Sequence, residues 1–174
     1  SYGVYFSPDE TYFVVRYSSA SSELRRTVNG ALVKKLAGLV NSADFSRDPA
    51  TTYLALSYSD KTGDLRLTSN GTPLTILEGQ VSSVHLSPDQ TATYFLIRYF
   101  DGFNELRRTA TNAKLLLTGN ITTVVFSPDT SHFVVYYSDS STELRDTATG
   151  LAIATLPPNV RSVQFSPNGA KFIA

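Results

Sequence analysis

The chain has 174 residues, enough for one ordinary domain with a substantial core. Fifteen basic residues balance fifteen acidic ones, so no global field favours nucleic acid or an anionic membrane surface. Cysteine is absent, which excludes disulfides, thiolate catalysis and cysteine-based zinc sites together, and no run of about 18 apolar residues is present to span a membrane.

The first motif along the chain is Phe6, Ser7, Pro8 and Asp9. It returns as Phe45, Ser46, Arg47 and Asp48, then as Leu86, Ser87, Pro88 and Asp89. Two further copies are Phe126, Ser127, Pro128 and Asp129, and Phe165, Ser166, Pro167 and Asn168. The anchors at 6, 45, 86, 126 and 165 are 39, 41, 40 and 39 residues apart, a repeat architecture with a period near forty. Repeats run approximately over 1–39, 40–80, 81–120 and 121–159, with a partial one at 160–174. Residues 122–156 are the clearest copy.

Within each repeat four short segments follow one another. The first places an apolar residue two positions before the anchor, in the column of Val4, Ala43, Val84, Val124 and Val163. That spacing predicts a half-buried strand, closed by Ser-Pro-Asp turn chemistry. The anchors Phe6, Phe45, Leu86, Phe126 and Phe165 are accordingly expected in the core. The second segment is the most apolar: Phe13, Val14 and Val15; Leu54, Ala55 and Leu56; Phe95, Leu96 and Ile97; Phe133, Val134 and Val135. It reads as a strand buried on both faces, ending in the tyrosine column Tyr17, Tyr58, Tyr99 and Tyr137.

A polar turn leads to an acidic-Leu-Arg segment, and a Gly- or Asn-containing turn leads to a fourth strand, over 31–36, 72–77 or 151–156. Four short antiparallel strands per forty residues describe a propeller blade. The fold class is therefore all-β, a β-propeller of four-stranded antiparallel blades with four full repeats and a half repeat, in a single propeller or propeller fragment over 1–174.

Leu144, Arg145, Asp146, Thr147, Ala148, Thr149 and Gly150 spell a motif that resembles the "LWDxxTG" of the WD-repeat β-propeller family, and "VxFSPD" resembles its inner strand. The related propellers of Tol-system translocation proteins share the "FSPD" anchor and are a close second. The resemblance covers nearly the whole chain. Arginine stands in the family's tryptophan column in all four copies, and its following aspartate survives only as Asp146. The family's Gly-His is missing, so its buried His-Asp-Ser-Trp hydrogen-bond set does not carry over. Something else must fix the outer strands.

Residues i and i+2 of a strand share a face, which sets Glu23 beside Arg25, Asp64 beside Arg66, Glu105 beside Arg107 and Glu143 beside Arg145. An ion pair that sets strand register is the preferred reading over a ring of arginines for an anionic ligand, because each copy supplies its own carboxylate. The guanidinium plane could also stack on the tyrosine column. The tyrosines themselves read as packing edges rather than as a stacking surface for sugars or peptides.

The third repeat departs from its siblings at Phe100, Asp101, Gly102, Phe103 and Asn104, where the other turns are nearly all polar. Two phenylalanines in a surface turn call for a cover, so Phe100, Asp101, Phe103 and Asn104 are the candidate partner contact. His85 and His132 occupy variable strand columns and form no metal-ligand pattern. No phosphate loop, nucleophile elbow or carboxylate pair is present, so no catalytic residue, metal or cofactor is assigned.

These features point to a non-catalytic protein-interaction or assembly scaffold binding a protein or peptide, with no membrane role. A carbohydrate-binding propeller is the alternative, with Asn29, Asn70 and Asn112 as only a partial row. A nucleic-acid binder using Arg16, Arg25, Arg26, Arg98, Arg107 and Arg108 is weaker, given the balanced charge. The sequence begins at Ser1 and stops within an apolar run that includes Phe172 and Ile173, expected to be an open edge. The expectation is an excised part of a longer propeller, or one subunit of an assembly in which other copies cover the half repeat and the face near Val4 and Phe6.

Overall fold

The repeat period becomes a row of antiparallel sheets in the computed structural model, which describes every residue except 1, 2, 18, 20, 116 and 118. The first sheet is β1 (Gly3–Phe6), β2 (Tyr12–Arg16), β3 (Ser22–Arg26) and β4 (Leu32–Lys35). The second is β5 (Val40–Phe45), β6 (Tyr53–Tyr58), β7 (Gly63–Leu67) and β8 (Pro73–Leu77). The third contains β9 (Val81–Leu86), β10 (Tyr94–Tyr99) and β11 (Asn104–Arg108). The fourth is β12 (Ile121–Phe126), β13 (His132–Tyr137), β14 (Thr142–Asp146) and β15 (Ala152–Thr155), and β16 (Gln164–Phe165) pairs with β17 (Phe172–Ile173). Each sheet is a meander, its strands adjacent in chain order.

Turn chemistry explains the first hairpin of each repeat. Ser7 Oγ donates to Asp9 Oδ1 at 2.6 Å and accepts the Tyr12 N–H at 2.9 Å, closing the Ser-Pro-Asp loop on itself. Ser127 does the same with Asp129 and His132, at 2.6 and 3.0 Å. One position of this turn sits in the left-handed region in every repeat: Glu10, Thr51, Ala92 and Thr130, with φ of 58°, 45°, 46° and 56°. In the last repeat that position is Gly169, the one residue type without a steric cost there.

The hairpins set the register. Each anchor pairs with the second segment: Phe6 with Phe13, Phe45 with Leu54, Leu86 with Phe95, Phe126 with Phe133 and Phe165 with Phe172. The Leu of the acidic-Leu-Arg segment pairs opposite the middle apolar residue, as Leu24 with Val14 and Leu144 with Val134. Residues directly opposite lie on one face, so each central strand has two apolar faces to cover.

Neighbouring sheets cover them. One core lies between the first and second sheets, where Val14 and Leu24 meet Phe45, Leu54 and Leu56. A second joins Ala55 and Leu65 to Val84, Phe95 and Ile97. A third joins Tyr94, Leu96 and Leu106 to Ile121, Phe133 and Val135, and a fourth joins Val134 and Leu144 to Val163. This stacking of sheets through both faces is what makes the second segments continuously apolar.

The anchors are less uniform than their shared pattern suggests. Phe45 is 5% exposed, whereas Leu86, Phe126 and Phe165 are only half-buried, and Phe6 is 59% exposed. The expectation that all five are core residues is therefore corrected. An anchor faces the preceding sheet, and among the described residues no sheet lies against that face of the first. Val4, two residues earlier on the same face, is exposed as well.

The fourth strand of the third repeat also departs from expectation. Among the described residues it reduces to a bridge between Arg107 and Lys114, continued by the Leu115 N–H donating to Leu106 O at 2.8 Å. Residues 116 and 118 of that segment lie outside the described residues.

Candidate interaction surfaces

The acidic and arginine residues of the third strands form a network that recurs in each complete repeat. Arg25 Nη2 lies 2.8 Å from Glu23 Oε2, Arg66 Nη2 2.5 Å from Asp64 Oδ2, Arg107 Nη2 2.6 Å from Glu105 Oε2 and Arg145 Nη2 2.7 Å from Glu143 Oε2. Each Nε donates to the same carboxylate, making the forked contact that suits a planar guanidinium. The remaining Nη1 reaches the turn before the fourth strand. It donates to the carbonyls of Gly30, Gly71 and Gly150 at 2.5, 2.9 and 2.8 Å, and in the third repeat to Asn112 Oδ1 at 3.2 Å.

The tyrosine column completes the set from the second strands. Tyr17, Tyr58, Tyr99 and Tyr137 donate their hydroxyls to Glu23, Asp64, Glu105 and Glu143 at 3.0, 2.8, 3.5 and 2.5 Å. One carboxylate thus ties the second strand, the third strand and, through arginine, the turn into the fourth. Burial and then the Asp64 carboxylate push the Tyr58 hydroxyl well above its usual range. Burial raises Glu105, but the ammonium of Lys114 and the guanidinium of Arg107 outweigh it and hold the carboxyl low.

Sequence reasoning paired acid with arginine and left the tyrosine as a packing edge. The missed signal is a constant spacing of six between each tyrosine and its acid, at 17 and 23, 58 and 64, 99 and 105, and 137 and 143. Stacking of cations on tyrosine occurs, but elsewhere. Arg26 lies 5.4 Å over the Tyr12 ring, and Arg108 lies 5.2 Å over that of Tyr94. Arg108 also donates to the carbonyls of Ala148 and Thr149, at 3.1 and 2.7 Å, joining the third sheet to the fourth.

The third repeat carries its two phenylalanines in the turn between β10 and β11, and Phe100 and Phe103 are each 60% exposed. The turn is well held. Asp101 Oδ1 accepts the Phe103 N–H at 3.0 Å, the Phe100 N–H donates to Gln80 O at 2.8 Å, and Gly102 takes a φ of 86°. Lys61 Nζ approaches the Phe100 ring at 5.7 Å. Asn104, also a candidate contact, is half-buried, and its amide donates to Ile121 O at the edge of the next sheet and to Gly102 O in the turn. A cavity of about 190 Å³ runs beside Phe103 between these two sheets.

The remaining candidates are occupied locally. Asn29 and Asn70 accept backbone N–H groups within their own turns, and Asn112 bonds Arg107 and Thr75. His85 Nδ1 is 3.8 Å from Asp44, His132 Nδ1 is 2.7 Å from Ser131 Oγ, and no cluster of metal-ligating side chains occurs among the described residues. Phe172 and Ile173 are exposed on β17, whose partner is β16.

No protein-family model matches the sequence, and no curated protein sequence is significantly similar to it. Among solved structures, the chain is similar to the β-propeller domain of Myceliophteria thermophila Cps50 (Swd1), with a TM-score of 0.59 and 12% identity. The match covers 99% of this chain and 62% of that one, so the chain spans about three-fifths of that propeller's length. From stacked antiparallel meanders and that likeness together, the fold is that of a β-propeller.

Proposed function

We propose that the chain is a non-catalytic assembly scaffold, a row of stacked blades that binds protein, including a second copy of itself. The observation that carries this reading is the exposed outer face of the first sheet. There Phe6 and Val4 stand in solvent, whereas Phe45 and Val84, in the corresponding columns of the next two sheets, are buried against a preceding blade. An apolar face whose counterparts are covered, wholly or in part, by a blade of the same repeat is shaped for one more such blade. The turn with Phe100, Asp101 and Phe103 is the second contact we assign, since two large apolar side chains sit on a rigidly bonded tip.

Hydrogen exchange of the 174-residue chain at low and at high protein concentration tests the assignment. Self-association through these surfaces slows exchange in β1 and in the β10–β11 turn as concentration rises. Exchange in both segments that is independent of concentration contradicts it.

A further inference from the structure

Arg98, in β10, differs from the arginines of the third strands. Those four each meet a carboxylate, but Arg98 makes no ion pair among the described residues. Its Nη2 reaches Thr123 Oγ1 at a long 3.4 Å, and its Nε is buried without an acceptor. A guanidinium N–H withdrawn from water and left unbonded is unfavourable, and an incoming acceptor removes that cost.

Arg98 lines a cavity of about 480 Å³ bordered by residues of the second, third and fourth repeats. Leu96, Leu106 and Phe126 supply an apolar wall, and Arg47, His85 and Asp44 stand around the rest. Asp44 is already engaged. Its carboxylate accepts the Leu86 N–H at 2.9 Å and lies 3.8 Å from His85 Nδ1. Burial pushes its pKa above the usual carboxylate range, and the Leu86 N–H only partly offsets this.

We infer that this cavity binds a carboxylate carried on an apolar stem. The planar fork of Arg98 matches a carboxylate, and the wall of Leu96, Leu106 and Phe126 takes the stem. Asp44 beside the cavity disfavours a dianion such as phosphate, so a single negative charge fits best. The site shares no residue with the Phe100 turn or the Phe6 face, so it stands or falls separately from the scaffold reading. The carboxylate could come from a free carboxylic acid or from an acidic residue of a peptide.

Backbone amide shifts of the whole chain, followed by NMR, test this with two matched pairs of probes. One pair is hexanoate and hexanamide; the other is N-acetyl-leucyl-glutamate amide and its glutamine counterpart. The expected result is saturable shifts at Arg98, Leu106 and Thr123, with an acid binding at least about ten-fold more tightly than its neutral partner. Arg98→Gln removes that preference. Tighter binding of hexanoate assigns the site to a free acid, and tighter binding of the glutamate peptide assigns it to a peptide partner. Equal binding of acid and amide by the wild-type protein overturns the proposal, as does the absence of saturable shifts with every probe. The acid–amide comparison needs no variant, so it decides the matter whatever Arg98→Gln does to folding.

Discussion

Arg66 and Arg25 occupy the same column and make the same bonds, yet the Arg66 side chain is 8% exposed and that of Arg25 is 30% exposed. Exposure decides what each contributes. Removing Arg66 leaves Asp64 buried without its cation, so Arg66→Ala should lower stability by about 3–5 kcal/mol. Arg25→Ala should lose much less, because water can solvate Glu23. Urea unfolding of the two variants checks the order, and equal losses would contradict the burial argument. Apolar replacement of both Asp64 and Arg66 should recover much of the single-variant loss, although Tyr58 then lacks its acceptor.

The Ser-Pro-Asp turns carry a pH dependence. Burial raises Asp9, but the hydroxyls of Ser7 and Thr11 and the Thr11 N–H outweigh it and hold the carboxyl at about 2. Asp48 and Asp89 are lowered in the same way, with hydroxyl and backbone donors again overcoming burial, and Asp129 is lowered chiefly by the Ser127 and Ser131 hydroxyls. A depressed carboxyl contributes stability that is present above its unfolded value, near 3.9, and lost as pH falls through its folded one. The urea midpoint should therefore fall between about pH 4 and about pH 2, and Asp9→Asn should lessen the drop. A midpoint that holds steady across that window would show that the turn carboxylates contribute little.

At the scale of the hairpin, the left-handed position after each turn is the weak point. Thr130 holds a φ of 56° where Gly169 stands in the last repeat, and no side-chain bond of Thr130 compensates among the described residues. Thr130→Gly should raise stability by up to about 1 kcal/mol, the relief of the left-handed strain less the entropy of glycine. Thermal unfolding of this single variant is the check, and a loss of stability would mean the strain is absorbed elsewhere.

The hairpins were legible because period, turn residues and apolar runs all repeat in the sequence. Which face of a strand is covered was not. Phe6 and Phe45 hold the same place in the repeat, each followed by serine, and their exposures differ because, among the described residues, a sheet precedes one and not the other. The pairing of Glu23 with Arg25 follows from strand geometry alone, but the Tyr17 hydroxyl reaches the same carboxylate across a hairpin, which requires the register. Asn104 read as a contact from its place beside two phenylalanines. Its amide also meets Ile121 O, a neighbour supplied by the next sheet.

For the whole molecule, the four inter-sheet cores make a rigid row in which every blade supports the next. Stability in such a row is close to a sum of blades and their interfaces, so an uncovered outer face is where another blade adds most. The faces at the two ends of the described row differ, so the proposed association through them would be head-to-tail rather than two-fold. The most direct test is the solution mass by sedimentation equilibrium, for the wild-type chain and for Val4→Ser with Phe6→Ser. The account predicts a wild-type mass above 19.0 kDa that rises with concentration, and a double variant that returns to 19.0 kDa with its fold intact. A wild-type chain that is a well-folded 19.0 kDa monomer at every concentration would contradict it.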